Sequence, residues 1–105
     1  MITKDSKDSL NYMSSLTGIK LTLGEMLRSI RQCEEKTQVD FSKQLNISRQ
    51  NLCDIEHGRR FISPKVAAEY ANKLGYSKNQ FVRLCLQDLL DRDGIDLEVE
   101  IKKAA

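Results

Sequence analysis

The sequence predicts an all-α fold of five helices that ends in a C-terminal β-strand. Three observations lead to this prediction. Apolar residues recur at three- and four-residue steps in five segments between residues 21 and 91, the spacing of one face of a helix. A serine or threonine stands at the start of each segment, where its side chain can accept a hydrogen bond from a free backbone N–H of the first turn. After Gly94 the apolar period becomes two, which indicates a strand.

The length of the chain limits it to one small domain with short appendages. A domain within 105 residues buries only about two-thirds of its unfolded surface, so self-association would add stability. We divide the chain into a polar N-terminal arm in residues 1–20, a helical domain in residues 21–76, and a helix with a strand in residues 77–105. The last part is assigned to dimerisation or partner binding.

The first helix is predicted to begin after Thr22, which can form a capping box with Glu25. It ends near Glu35. Its apolar stripe faces the core, and Cys33 is interpreted as a small core residue, with a reactive thiol as the alternative. The stripe consists of Leu23, Met26, Leu27, Ile30 and Cys33.

The second and third helices are short. Thr37 and Asp40 form a capping pair before the second helix, and Asn46, a residue that tolerates a left-handed backbone, follows its end. Ser48 caps the third helix, which ends near Gly58. The apolar residues that can place both helices on one core are Phe41, Leu45, Ile47, Leu52 and Ile55.

The fourth and fifth helices begin at Ser63-Pro64 and at Ser77, and Gly75 closes the fourth. The fifth helix runs to about Asp91 and is apolar over more than one face, so it must be buried against more than one neighbour. Its wide apolar surface either closes the core or forms the main seam of a dimer, and both can hold. The residues assigned to this seam are Phe81, Leu84, Leu86 and Leu89.

The predicted strand has one apolar and one acidic face. A lone strand cannot satisfy its own backbone groups, and the rest of the chain is helical, so its partner must come from elsewhere. A second copy of the chain and the sheet edge of another protein are both candidates. The apolar residues of this face are Ile95, Leu97, Val99 and Ile101.

Composition and motifs exclude several classes of protein. No apolar run approaches the ~20 residues of a membrane span, and no signal peptide is visible. The three dispersed cysteines suit a reducing cytoplasm. A single histidine, His57, and no metal-ligand spacing or nucleophile motif argue against an enzyme and predict no metal and no cofactor.

Residues 37–58 predict a helix-turn-helix, because a short capped helix, a turn of about three residues and a second short capped helix follow one another. The helical periodicity leaves a polar set facing outward. Arginine can donate two hydrogen bonds to guanine, and glutamine or asparagine can pair in the same way with adenine. The outward residues are Gln38, Arg49, Gln50, Asn51 and Asp54.

The segment from Leu21 to Tyr76 resembles the helix-turn-helix of the phage repressor and Cro family, also called the XRE family. The resemblance is carried by a glutamine that opens the second helix, a small residue four positions later, a turn residue and a closing Glu-x-Gly. In this chain those positions are Gln38, Ser42, Asn46 and Glu56-His57-Gly58. Asn46 stands where the family usually has glycine, and His57 where asparagine is common.

The resemblance implies a repressor-like fold and a role for each matching residue. Gln38 would contact a phosphate, and Arg31 of the first helix would form an ion pair with Glu56 of the third. Arg49, Gln50 and Asp54 would face bases, with Ser48 and Asn51 at base or backbone edges. The basic residues beside the motif are expected near the DNA backbone, and they are Lys43, Arg59 and Arg60.

The sequence therefore predicts a cytoplasmic, sequence-specific repressor that binds a palindromic DNA operator as a homodimer. Residues 42–65 carry a local charge of +3 and residues 88–103 one of −3. The short acidic extension resembles that of HigA-like antitoxins of type II toxin–antitoxin systems, which implies autoregulation and a small basic toxin as partner. The alternatives are a regulator without a toxin and a protein-interaction module that no longer binds DNA.

Overall fold

The computed structural model describes residues 21–104. Five helices lie in this part of the chain, and they confirm the predicted all-α architecture. The predicted N-terminal arm of residues 1–20 lies outside the described residues. The helices are α1 (Leu23–Cys33), α2 (Gln38–Leu45), α3 (Arg49–Glu56), α4 (Pro64–Leu74) and α5 (Lys78–Arg92).

Each helix begins at the residue that the sequence indicates. The five caps accept a hydrogen bond from the backbone N–H three residues later, and Thr22 and Glu25 form the full capping box. Asn46 ends α2 with φ 61° and ψ 46°, the left-handed conformation expected of it. Local side-chain chemistry therefore sets the boundaries of these helices. The capping residues are Thr22, Thr37, Ser48, Ser63 and Ser77.

The core is formed by apolar side chains from all five helices. The Cys85 thiol is buried in it and donates to the carbonyl oxygen of Ile62 at 3.1 Å, and burial raises its pKa to about 11. Cys33 is the last residue of α1 and is exposed, so its predicted core position is wrong. The buried apolar residues are Leu23, Met26, Leu27, Ile30, Phe41, Leu45, Leu52, Ile55, Ala67, Tyr70, Ala71, Phe81, Leu84 and Cys85.

Helix α5 packs against α1 and α4, and this decides which of its apolar residues remain at the surface. Phe81 and Leu84 lie inside the core, with 0% and 4% of their surface exposed. They therefore present no surface to a partner in this conformation, which corrects their assignment to the seam. Leu86 and Leu89 are half-buried, so the seam predicted on α5 is reduced to these two.

The predicted strand over residues 95–101 is wrong, because no strand occurs between residues 21 and 104. The segment instead folds back along α5, where Gln87 holds it. The Gln87 side chain donates from Nε2 to the carbonyl oxygen of Leu97 at 2.9 Å and accepts at Oε1 from the N–H of Val99 at 2.8 Å. One side-chain amide thus satisfies two backbone groups that a neighbouring strand would otherwise pair with. Ile95 and Leu97 remain exposed, and Val99 and Ile101 are half-buried.

Gln87→Ala is expected to release this C-terminal segment without unfolding the helices. The two hydrogen bonds that hold the segment, of about 1 kcal/mol each, are lost, so we expect the protection of the Val99 amide against hydrogen exchange to fall about tenfold or more. Exchange measured by mass spectrometry tests this, with Asn72→Ala, an exposed amide on α4, as the matched control. Unchanged exchange in residues 95–101 would show that other contacts hold the segment.

The carboxylate of Asp88 on α5 ties that helix to the first residue of α1. Its Oδ2 accepts from the N–H of Leu23 at 3.0 Å. Burial raises the pKa of Asp88 from 3.8 to about 6, and the nearby carboxylates of Asp91 and Glu25 add to the rise, against the lowering effect of the bond from Leu23. The folded protein therefore binds this proton more tightly than the unfolded chain does. The stability contributed by the protonated carboxyl is fully present below its ordinary pKa and is lost as the pH rises through the folded value.

Asp88→Asn is accordingly expected to remove a pH dependence of stability. Between pH 5 and pH 8 the free energy of unfolding of wild type should fall by about 1 kcal/mol more than that of Asp88→Asn. This figure is smaller than the full pKa shift would give, because the carboxyl is partly exposed. Urea unfolding at the two pH values measures the difference, and Asp93→Asn at the exposed end of α5 is the control. The same pH slope in wild type and in Asp88→Asn would contradict the assignment.

Candidate nucleic-acid interface

The turn between α2 and α3 is fixed by backbone hydrogen bonds. The N–H groups of Asn46 and Ile47 donate to the carbonyl oxygens of Lys43 and Ser42 at 3.1 and 3.0 Å. Ile47 packs against the core, and Ser48 then caps α3, accepting at Oγ from the N–H of Asn51 at 3.0 Å. Because the turn is short and anchored at both ends, α3 has one fixed orientation on α2.

The packing of α3 against the core determines which of its side chains are exposed. Leu52, Ile55 and Glu56 are buried, so one side of the helix is committed to the core. The opposite side is polar, as the sequence indicates. Ser48, Arg49 and Gln50 are exposed there, and Asn51 and Asp54 are half-buried. Gln38, at the start of α2, is also half-buried.

The ion pair that the family resemblance implies is present and buried. Arg31 on α1 donates from Nε to Glu56 Oε2 at 2.8 Å and from Nη2 to Glu56 Oε1 at 3.1 Å. The Glu56 side chain has no exposed surface. A third donor of Arg31, Nη1, reaches the carbonyl oxygen of Lys36 at 3.1 Å. A two-bond pair of this kind fixes orientation as well as distance, so it locks α3 against α1.

Gln38 extends this buried pair to the exposed end of α3. Its Nε2 donates to Glu56 Oε1 at 3.1 Å, and its Oε1 accepts from Arg49 Nη1 at 3.2 Å. A continuous row of hydrogen bonds therefore runs from Arg31 through Glu56 and Gln38 to Arg49, the first residue of α3. Both polar groups of the Gln38 amide are used within the protein, and its predicted phosphate contact stays a prediction.

Asp54 is held by two donors on the polar side of α3. Its Oδ1 accepts from Gln50 Nε2 and from Arg59 Nε, both at 3.0 Å. The hydrogen bond from Arg59 lowers the pKa of Asp54; desolvation opposes this, and the hydrogen bond from Gln50 and the charges of Arg59 and Arg60 lower the pKa further. The carboxyl therefore stays ionised, and Arg59 is directed at Asp54 rather than away from the protein.

The remaining basic residues of the predicted interface are exposed around α2 and α3. Lys43 lies in the last turn of α2. Arg59 and Arg60 belong to the loop after α3, and their N–H groups both donate to the carbonyl oxygen of Asp54, at 2.8 and 3.2 Å. The loop is thereby folded onto the end of α3, and the Arg59 side chain lies against Asp54 of the polar face.

Gly24 is a residue of this site that we did not predict. It lies in the first turn of α1, where α1 crosses α3, and a Cβ placed on it would lie 2.1 Å from the carbonyl oxygen of Ile55. Only a residue without a side chain allows this approach of the two backbones. The one signal in the sequence is a glycine inside a capped, amphipathic helix, where alanine has the higher helix propensity.

Two short packed helices, a tight turn and an exposed polar face on the second helix define a helix-turn-helix, a class of DNA-binding domain. The model of a family described as a helix-turn-helix domain matches residues 24–86, more than half of the chain, and extends into α5. The chain belongs to this helix-turn-helix domain family. Searches of curated proteins and of solved structures gave no significant match. Among residues 21–104 no helix is long and apolar enough to cross a membrane.

Proposed function

We propose that the protein is a sequence-specific DNA-binding regulator that inserts α3 into the major groove. The observation that carries this proposal is the row of hydrogen bonds from the buried Arg31–Glu56 pair to Arg49. It fixes the N-terminal end of α3, the part that helix-turn-helix domains direct at base edges. A side chain that merely lies on a solvated surface needs no such support.

The exposed groups suit the two kinds of contact that DNA offers. The guanidinium of Arg49 can donate two hydrogen bonds to O6 and N7 of guanine. Lys43, in the last turn of α2, and Arg60, in the loop after α3, are exposed and can neutralise phosphates, which gives affinity without sequence preference. Arg49 therefore contributes selectivity, and the two flanking residues contribute affinity.

We further propose that the protein represses transcription as a homodimer on a palindromic operator. One helix-turn-helix contacts only a few base pairs, and a two-fold dimer would place two α3 helices about 34 Å apart, in successive turns of the major groove. Leu86 and Leu89, half-buried on α5, are the residues proposed for the dimer contact. Bound at a promoter, such a dimer would exclude polymerase.

Selection of bound sequences from a random pool of duplex DNA tests the DNA-binding proposal. The selected site should be palindromic, and binding to it in a gel shift should weaken steeply between about 50 and 200 mM salt, because phosphate contacts release counterions. Absence of any retained DNA at low salt would favour the protein-interaction module instead. A monomer on the selected site at high protein concentration would overturn the dimer.

Arg49→Ala and Lys43→Ala are expected to have different consequences. Arg49→Ala should cost about 1–3 kcal/mol of binding free energy on the selected site and relax the preference at one base pair, whereas Lys43→Ala should weaken all sequences alike and reduce the salt dependence. Titrations of both variants against the selected site and a scrambled duplex separate the two effects. Equal losses on both duplexes for both variants would contradict the assigned roles.

A second proposed role, that of an antitoxin, is favoured by the C-terminal segment. Leu97 is 63% exposed, and exposed acidic residues alternate with the apolar residues of its segment: Asp96, Glu98 and Glu100. An exposed apolar side chain in an acidic segment suits a basic protein partner. A neighbouring gene that encodes a small basic toxin, co-purification of its product with this chain, and loss of that complex on deletion of residues 95–105 would support the role. A neighbouring protein that binds equally well without the segment would show that residues 95–105 do not form the contact, and absence of any such complex would leave a regulator without a toxin.

A further inference from the structure

The Gln50–Asp54 pair lies on the exposed side of α3, four residues apart and therefore on one face of the helix. We infer that this pair selects cytosine in the DNA site, by accepting a hydrogen bond from the cytosine amino group in the major groove. The inference rests on the proposed function and specifies which base the exposed side of α3 recognises. Arg59 acts in it as a positioning residue that holds Asp54 in place.

The orientation of the Gln50 amide follows from the charge of Asp54. An ionised carboxylate accepts hydrogen bonds and cannot donate one, so the amide group that faces Asp54 must be the NH₂ group. The Gln50 Nε2 to Asp54 Oδ1 distance of 3.0 Å agrees with this. The amide oxygen of Gln50 is thus left for an outside donor. Because Asp54 Oδ1 takes both donors from the protein, its second oxygen, Oδ2, is left as well.

The position of Arg59 explains how a carboxylate can stand at a DNA-facing surface. Its Nε contacts Asp54 Oδ1 at 3.0 Å, and its Nη2 lies 3.5 Å from the sulfur of Cys53. The guanidinium therefore stands over the polar side of α3 and offsets the negative charge that phosphates would otherwise repel. It also fixes Oδ1 of Asp54 against the protein while Oδ2 stays open to an outside donor.

The chemistry of the major groove selects one base for such a pair. Guanine presents two acceptors there, thymine one acceptor, and adenine an acceptor beside its amino group, whereas cytosine presents only an amino donor. The amino hydrogen that cytosine does not use in its base pair can donate to Asp54 Oδ2 or to the amide oxygen of Gln50, or be shared between them. The acceptors of guanine and thymine, and N7 of adenine, repel a carboxylate oxygen at the same place. Arg49 and Asp54 are five residues apart, or about 7.5 Å along the helix at 1.5 Å per residue. The cytosine is therefore expected within about two base pairs of the guanine that Arg49 contacts.

Selection from a random DNA pool with wild type, Asp54→Ala and Asp54→Asn tests the inference. Wild type should select cytosine within two base pairs of the Arg49 guanine, by at least about fivefold over each other base. Asp54→Ala should lose this preference and keep the guanine. Asp54→Asn should prefer adenine at the same position, because an asparagine amide can both donate to N7 and accept from N6. Asp93→Asn, an exposed carboxylate that follows α5, is the matched control and should select the wild-type site.

The outcomes separate this inference from the proposed function. If wild type retains no DNA at low salt, DNA binding itself fails and the inference fails with it. If wild type selects a defined site and Asp54→Ala selects the same site with the same base frequencies, DNA binding stands and the cytosine assignment is overturned. Circular dichroism and thermal unfolding of each variant verify that it is folded, as expected for a substitution at a partly exposed position.

Discussion

Glu56→Ala is expected to lower the free energy of unfolding by about 3–5 kcal/mol, because it leaves a buried arginine without its counter-charge. Arg31 keeps only 15% of its side-chain surface exposed and makes two of its hydrogen bonds to Glu56. Water cannot replace both of these hydrogen bonds at a side chain that is buried to this extent. Urea unfolding followed by circular dichroism measures the loss. Glu69→Ala, which removes an exposed carboxylate from α4, is the matched control and should change stability by less than about 0.5 kcal/mol.

The double variant Arg31→Met with Glu56→Met separates stability from positioning. Replacing a buried ion pair by apolar residues of similar size is often neutral or stabilising, so the double variant should recover much of the stability that Glu56→Ala loses. DNA affinity should not recover with it. Gln38 has then lost the acceptor that holds its amide, and Arg49 has lost its oriented partner. Recovery of both stability and affinity would show that the row of hydrogen bonds does not position α3 for binding.

The local features of the fold could be predicted from the sequence because they depend on near neighbours. A serine or threonine side chain reaches only the next turn, so the caps at Thr37 and Ser48 depend on nothing distant. The left-handed end of α2 likewise follows from Asn46 itself. The Arg31–Glu56 contact joins residues 25 positions apart, and it was available only through the resemblance to a known family.

The C-terminal segment could not be predicted, because alternation of apolar and polar residues describes one exposed face without saying what covers the other. A strand and a chain held against a helix produce the same pattern. The deciding residue is Gln87, a buried polar side chain on α5. Local sequence does not single out Gln87, because its partners, Leu97 and Val99, are defined only once the chain turns back after Gly94.

The width of an apolar stripe also says nothing about which neighbour covers it. Phe81 and Leu84 are buried inside the domain, and Leu86 on the same helix is only half-buried. The difference depends on the placement of α1 and α4 around α5, a property of packing. Cys33 shows the same limit, since it continues the stripe of α1 by one turn past Ile30, the last buried residue of that helix.

Gly24 is the strongest case of a site residue that packing alone defines, and its substitution is expected to be among the most damaging single changes. In an isolated helix, Gly24→Ala would be favourable by about 1 kcal/mol. In the folded protein the added Cβ would lie 2.1 Å from the carbonyl oxygen of Ile55 and 3.3 Å from Cα of Glu56. These are backbone atoms, so no side-chain rotation relieves the clash, and α1 and α3 must separate.

We therefore expect Gly24→Ala to destabilise the protein by about 3 kcal/mol, at the upper end of the cost of overpacking, and to abolish tight binding to the selected DNA site. Separation of the two helices also lengthens the bonds between Arg31 and Glu56, so the orientation of α3 is lost with its packing. Gly75→Ala is the matched control: its φ is 76° with nothing within 4 Å of the added Cβ, so it should cost about 1–2 kcal/mol through backbone strain alone. Because Gly75 lies at the end of α4, that variant should keep DNA affinity under conditions where it is folded. Gly24→Ala with wild-type stability, or with stability lost and affinity retained when folded, would show that the contact between α1 and α3 does not determine the orientation of the recognition helix.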